Sequence, residues 1–235
     1  MPDQLSPIRL LRVVFDTRIL PREIPAFRGA VVEKVGLEHE WFHNHNNASD
    51  AKVAYHYRYP LVQYKLYRRR PVILFIGKGV DEARHFFSQP DWRVTFSRHN
   101  HTARVVDMQM FDFELGVREN MAHYRLQSWL AFNQENFSVF NQMDNLVERV
   151  QFMESALAGH ILAFASGVDH HFARRFNLVL TDIFREQAAV FSGNRMLSFD
   201  VAFKADAVLP PMIGLGRAVS QGFGVLELAP GRKPV

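Results

Sequence analysis

The 235-residue chain contains no cysteine. Disulfides, thiolate metal sites and cysteine nucleophiles are therefore out of consideration. No run approaches the roughly 20 apolar residues that a membrane span requires. The N-terminus, Met-Pro-Asp-Gln, has no basic-then-apolar signal layout. A soluble, cytoplasmic protein with no membrane partner is the expectation. Charge of either sign is close to balanced: 28 Lys and Arg against 24 Asp and Glu leave +4 before the 11 histidines are counted. That balance suits an anionic partner without demanding one. Repeats of solenoid period and low-complexity tracts are missing as well.

What is present can build a core. Hydrophobic residues make up 48% of the chain, and 21 are phenylalanine. Ile8 to Ile19 is strand-like, and Ala26 to Val35 has helical spacing, with Pro25 in its first turn and Gly36 as a C-cap. Extended runs follow at 53–67 and 71–76, a short helix at 80–88 and a strand at 92–97. The order β-α-β-β-α-β is the ferredoxin-like plan. The second half reads as strands at 105–115 and 124–132, a broken helical region over 136–169, extended runs at 176–184 and 196–203, and a last strand at 223–228. The predicted fold is α+β, with two tandem ferredoxin-like (RRM-like) domains. These occupy 1–100, carrying a histidine loop, and 101–235, carrying a glycine-rich loop.

Glycine is sparse, at 13 residues, yet Gly214, Gly216, Gly222 and Gly224 crowd into Pro211-Met-Ile-Gly-Leu-Gly-Arg-Ala-Val-Ser-Gln-Gly-Phe-Gly-Val225. Such crowding suggests main chain exposed to a bulky ligand. With Arg217, Ser220 and Gln221 in the same loop, an N–H cradle for a phosphate chain is one reading. A plain hairpin turn is the other. Neither a P-loop nor a Rossmann fingerprint is present.

His43 and His45 flank Asn44 in a polar loop after the first helix. Two imidazoles at i and i+2 can supply a base and an acid near neutral pH. On RNA that pair suffices without metal. One ring takes the 2′-hydroxyl proton and the freed oxygen attacks phosphorus. The other ring protonates the departing 5′-oxygen, leaving a 2′,3′-cyclic phosphate and a 5′-hydroxyl. Lys34, Lys52 and Tyr55 are near in sequence and suited to support the charged transition state. The reading needs both rings open to the strand. A solvated loop is the alternative, and a metal site with a distant carboxylate is another, although no further ligands stand at short spacing. His170-His171 reads as a helix-end pair. Arg68-Arg69-Arg70 reads equally as a charged hairpin turn and as a phosphate contact.

Together the glycine loop (Ile213-Gly-Leu-Gly-Arg-Ala-Val-Ser-Gln-Gly-Phe-Gly-Val225), the strand Met196 to Lys204 before it and the histidine loop resemble the CRISPR-associated repeat-RNA endoribonucleases, the sixth Cas family, in a subgroup with paired histidines. The resemblance implies metal-independent cleavage of repeat-containing CRISPR transcripts (pre-crRNA) into guide RNAs. It places His43 and His45 at the catalytic positions and Gly214 to Gly224 at the RNA-binding one. No cofactor is implied. The partners implied are repeat RNA and a CRISPR effector complex, with a monomer and a homodimer equally open. A non-catalytic RNA-binding protein of the same fold is the alternative.

Overall fold

The computed structural model describes residues 5–43, 58–96, 101–191 and 194–229. The chain divides into two compact units. One holds residues 8–113 with 220–222, and the other holds 1–7, 114–219 and 223–235.

In the first unit, β1 (Ser6–Phe15), α1 (Ile24–Val35), β2 (Val62–Tyr67), β3 (Arg70–Ile76), α2 (Gly79–Phe87) and β4 (Val94–Phe96) follow the ferredoxin-like order. Antiparallel pairing joins β2 to β3 and β3 to β1. Alternation sends Leu11, Val13 and Phe15, with Tyr64, Ile73 and Phe75, to the face that α1 and α2 cover. Helix α1 meets them with Phe27 and Val31, one turn apart. Phe27 packs edge-on against Phe15 at 5.0 Å and Phe96 at 5.3 Å, the favoured arrangement for aromatic quadrupoles. One departure from the predicted plan concerns β4. It pairs with β5 (His101–Ala103) in a separate ribbon. The first half of β6 (Val105–Trp129) takes the position beside β1 instead. The Asp16 amide donates to Arg104 O at 2.9 Å, and Arg12 reaches Asp107 at 3.1 Å.

Strand β6 is one element of 25 residues where the sequence suggested two. Its pairing with β8 (Asn194–Val208) continues across a register shift between Val117 and Ala122. A bulge therefore absorbs the segment that interrupts the alternation. In the second unit the strand order is β9–β6–β8–β7, with β7 spanning Leu178–Phe191 and β9 Val225–Leu228. That is the ferredoxin-like order again. The predicted helical region is two helices, α3 (Gln134–Asn141) and α4 (Leu146–Gly167). Asn133 and Asn145 cap them, accepting from Asn136 N at 2.7 Å and Val147 N at 2.8 Å. No second helix stands between β8 and β9; the glycine loop occupies that stretch of sequence.

Candidate functional site

After α1 the chain turns at Gly36 and makes a short 3-10 turn, Glu40–Phe42, that ends at His43. The His43 ring is only 6% exposed, with Nε2 lying 2.8 Å from Leu37 O. A carbonyl only accepts, so Nε2 is the donor in this contact. The open ring that the sequence reading asks for is therefore a covered one, held by its far nitrogen. The backbone carbonyl of His43 accepts from the Arg28 guanidinium on α1. His45, Lys52 and Tyr55 lie outside the described residues.

Tyr64 on β2 touches this segment and Gln221. Its buried hydroxyl donates to Phe42 O at 3.1 Å, one residue before His43. Its main chain forms a parallel bridge with Gln221. Burial pushes the phenol upward, and Arg28 partly offsets the shift. Next to it on β2, burial pushes the wholly covered Lys65 ammonium down to about 7. Lys34 is committed elsewhere, 3.3 Å from Asp91. Asp91 is held below the usual carboxylate range, first by the Arg93 backbone amide.

The glycine loop is not the exposed cradle that its composition suggests. The amides of Leu215, Arg217 and Gly224 donate to Gly224 O, Leu130 O and Ser128 O at 2.9–3.1 Å. Gly214 and Gly224 are buried, and Gly216, Ser220, Gln221 and Gly222 are half-covered. Gly216 has φ +101°, and a Cβ there would stand 2.7 Å from Trp129 Cδ1. The glycines thus let the loop lie flat on its own protein. The exposed side chain is Arg217. It borders a cavity of about 370 Å³ shared with Phe132, Asn133, Phe137 and Met196. Near it, Trp129 Nε1 donates to His160 Nδ1 at 3.2 Å. Burial, then the Arg217 charge, hold His160 down at about 4.

Arg68 and Arg69 form the tight turn between β2 and β3, with φ of 51° and 66°, and Arg70 opens β3. Left-handed residues at both positions are the signature of a type I′ hairpin, where Asn-Gly is preferred. Arginine at both positions is strained. Replacing the pair with Asn-Gly is expected to raise stability by about 1 kcal/mol in urea unfolding. If the arginines also touch phosphate, RNA affinity will fall and its salt dependence will flatten while stability rises. Unchanged affinity would leave the turn as scaffold alone. His170 follows α4, its amide donating to Ala165 O at 2.9 Å.

Sequence reasoning missed Arg28 and Lys65. Arg28 faces the histidine segment across the helix, which spacing alone does not disclose. Lys65 was hidden among alternating strand residues.

Family models of the Cas6b N-terminal and C-terminal domains match residues 6–114 and 116–229. An uncharacterised protein of Methanocaldococcus jannaschii is 30% identical over 112 residues, 47% of this chain and 75% of that protein. A crystal structure of Cas6b is similar at TM-score 0.83 and 22% identity, over 95% of this chain and 100% of that one. Another, described as the CRISPR RNA processing endoribonuclease Cas6b, is similar at TM-score 0.71 and 19% identity with coverage of 95% and 100%. Csf5, a type IV Cas6 crRNA endonuclease, is similar at TM-score 0.54 and 12% identity, again over 95% and 100%. These likenesses show the fold.

Proposed function

The chain belongs to the Cas6b family, and on that premise we propose that it cuts CRISPR repeat RNA to release guide crRNAs by metal-independent chemistry. The observation that carries the reading is the Tyr64 link, which joins Gln221 of the glycine loop to the carbonyl next to His43.

His43 is suited to the role of base. Nε2 is anchored on Leu37 O, and the role of base is assigned to the other ring nitrogen, Nδ1. The ring is covered in this structure, so RNA binding has to open that edge to the 2′-hydroxyl. Nδ1 takes the proton of the 2′-hydroxyl. The 2′-oxygen forms a bond to the adjacent phosphorus, and the bond from phosphorus to the 5′-oxygen breaks. His45 gives its proton to that departing oxygen. The Arg28 guanidinium, held at the His43 carbonyl, adds positive charge beside the pentacoordinate phosphorus. Arg217, exposed at the glycine loop, contacts the RNA backbone, with Ser220 and Gln221 as neutral partners.

The test is cleavage of a repeat RNA in excess EDTA, with the product ends analysed. Undiminished cleavage giving 2′,3′-cyclic phosphate and 5′-hydroxyl ends is expected. Cleavage that stops with the chelator and returns with a divalent ion would mean a metal-dependent hydrolase instead.

A further inference from the structure

Four residues before His43, the same segment meets α2. The His39 ring stacks on His85 with centroids 3.6 Å apart and planes 28° from parallel. Glu82 lies one turn before His85 on α2, and its Oε2 is 3.6 Å from His85 Nε2. One donor atom from each of the three residues lies within 4.8 Å of the other two. All three side chains are half-buried, so their rotamers are already restricted. Glu38 adds a carboxylate oxygen 3.9 Å from His39 Nε2.

Two imidazoles and one carboxylate are the donor set of three-ligand zinc sites, where the metal–nitrogen distance is about 2.0–2.1 Å. Glu and His at i and i+3 on one helix face present adjacent donors to a single ion. A third ligand from a different segment closes the set. Arg84 Nε does approach His85 Nε2, at 3.4 Å and in an exposed setting. A contact that long is readily displaced.

We propose that His39, Glu82 and His85 bind a divalent transition-metal ion of the zinc class. The ion clamps the segment that carries His43 onto α2. It takes no part in the RNA chemistry, and the site stands whether or not that chemistry is as described above.

Cobalt(II) is the probe, used on untagged full-length protein because the chain has 11 histidines and a tag would add more. One equivalent is expected to bind, with visible d–d bands of a four- or five-coordinate ion that zinc then abolishes. His39→Ala and His85→Ala should each lose that equivalent. Glu82→Gln, which keeps the shape of the side chain, should weaken binding about tenfold or more. Zinc should raise the melting midpoint of the parent protein but not of His85→Ala. Should an alanine variant fail to fold, the Glu82→Gln titration decides. Cobalt bound equally by the parent and Glu82→Gln, or no d–d bands at all, would overturn the site. Cleavage in EDTA reports on the RNA chemistry and the cobalt spectrum on this cluster, so either can fail alone.

Discussion

His43→Ala and His45→Ala are each expected to slow cleavage of repeat RNA by about 10²–10⁴-fold, the usual contribution of a positioned acid or base. RNA affinity should change little, because neither ring is asked to hold the strand. Single-turnover rates with a binding isotherm measure both quantities. For His43 the structure permits a sharper version. Alanine removes both the basic nitrogen and the hydrogen bond to Leu37 O, so a slow variant alone does not separate chemistry from positioning. Glutamine keeps an N–H donor that can reach the same carbonyl but cannot relay a proton. His43→Gln is expected to be as slow as His43→Ala while melting close to the parent protein. Parent-like cleavage by His43→Gln would make the ring a strut, leaving the proton transfer to another group.

The second large effect is on folding. Gly224 has φ +61°, and a Cβ there would overlap the carbonyl oxygen of Leu215, with the carbonyl carbon at 3.0 Å. The obstacle is backbone, so it cannot rotate away. The same two residues are joined by the Leu215 amide donating to Gly224 O at 2.9 Å. Gly224→Ala is expected to destabilise the protein by about 2–4 kcal/mol, combining left-handed strain with steric displacement. It should weaken RNA binding as well, since Arg217 sits in the distorted loop. Gly159→Ala is the control. That glycine lies in α4, and a methyl group added there would have nothing within 4 Å. It should gain about 0.5–1 kcal/mol. Urea unfolding of both variants measures the contrast. Equal stability would show that the loop packs less tightly than described.

Much of the fold was legible because its signals are local. Phe27, Val31 and Val35 mark α1 by spacing, and Gly36 ends it; the two ferredoxin-like units follow from the order of such elements. The single strand β6 was less legible. Its continuity depends on pairing with β8 on both sides of a bulge, and long-range pairing leaves no periodicity at the bulge itself. Capping by Asn145 fixed where α4 begins after α3, a signal that was present but needed the neighbouring hydrophobic pattern to be weighed. At the site, residue types could be read but not contacts. Four close glycines look alike whether they expose main chain or press it onto Trp129. Their crowding suggests the first arrangement, and the structure has the second. Nor does any spacing announce that His39 meets Glu82 and His85, because the partners lie 43 and 46 positions further along the chain.

The central claim is that the RNA supplies its own nucleophile and that protein side chains only move the protons. A repeat RNA carrying a single 2′-deoxy nucleotide immediately 5′ of the cut tests it most directly. The account predicts parent-like binding with no cleavage at that position, in EDTA or with magnesium. Cleavage of the deoxy substrate at the same phosphate would contradict it, because another nucleophile would then be attacking the phosphorus.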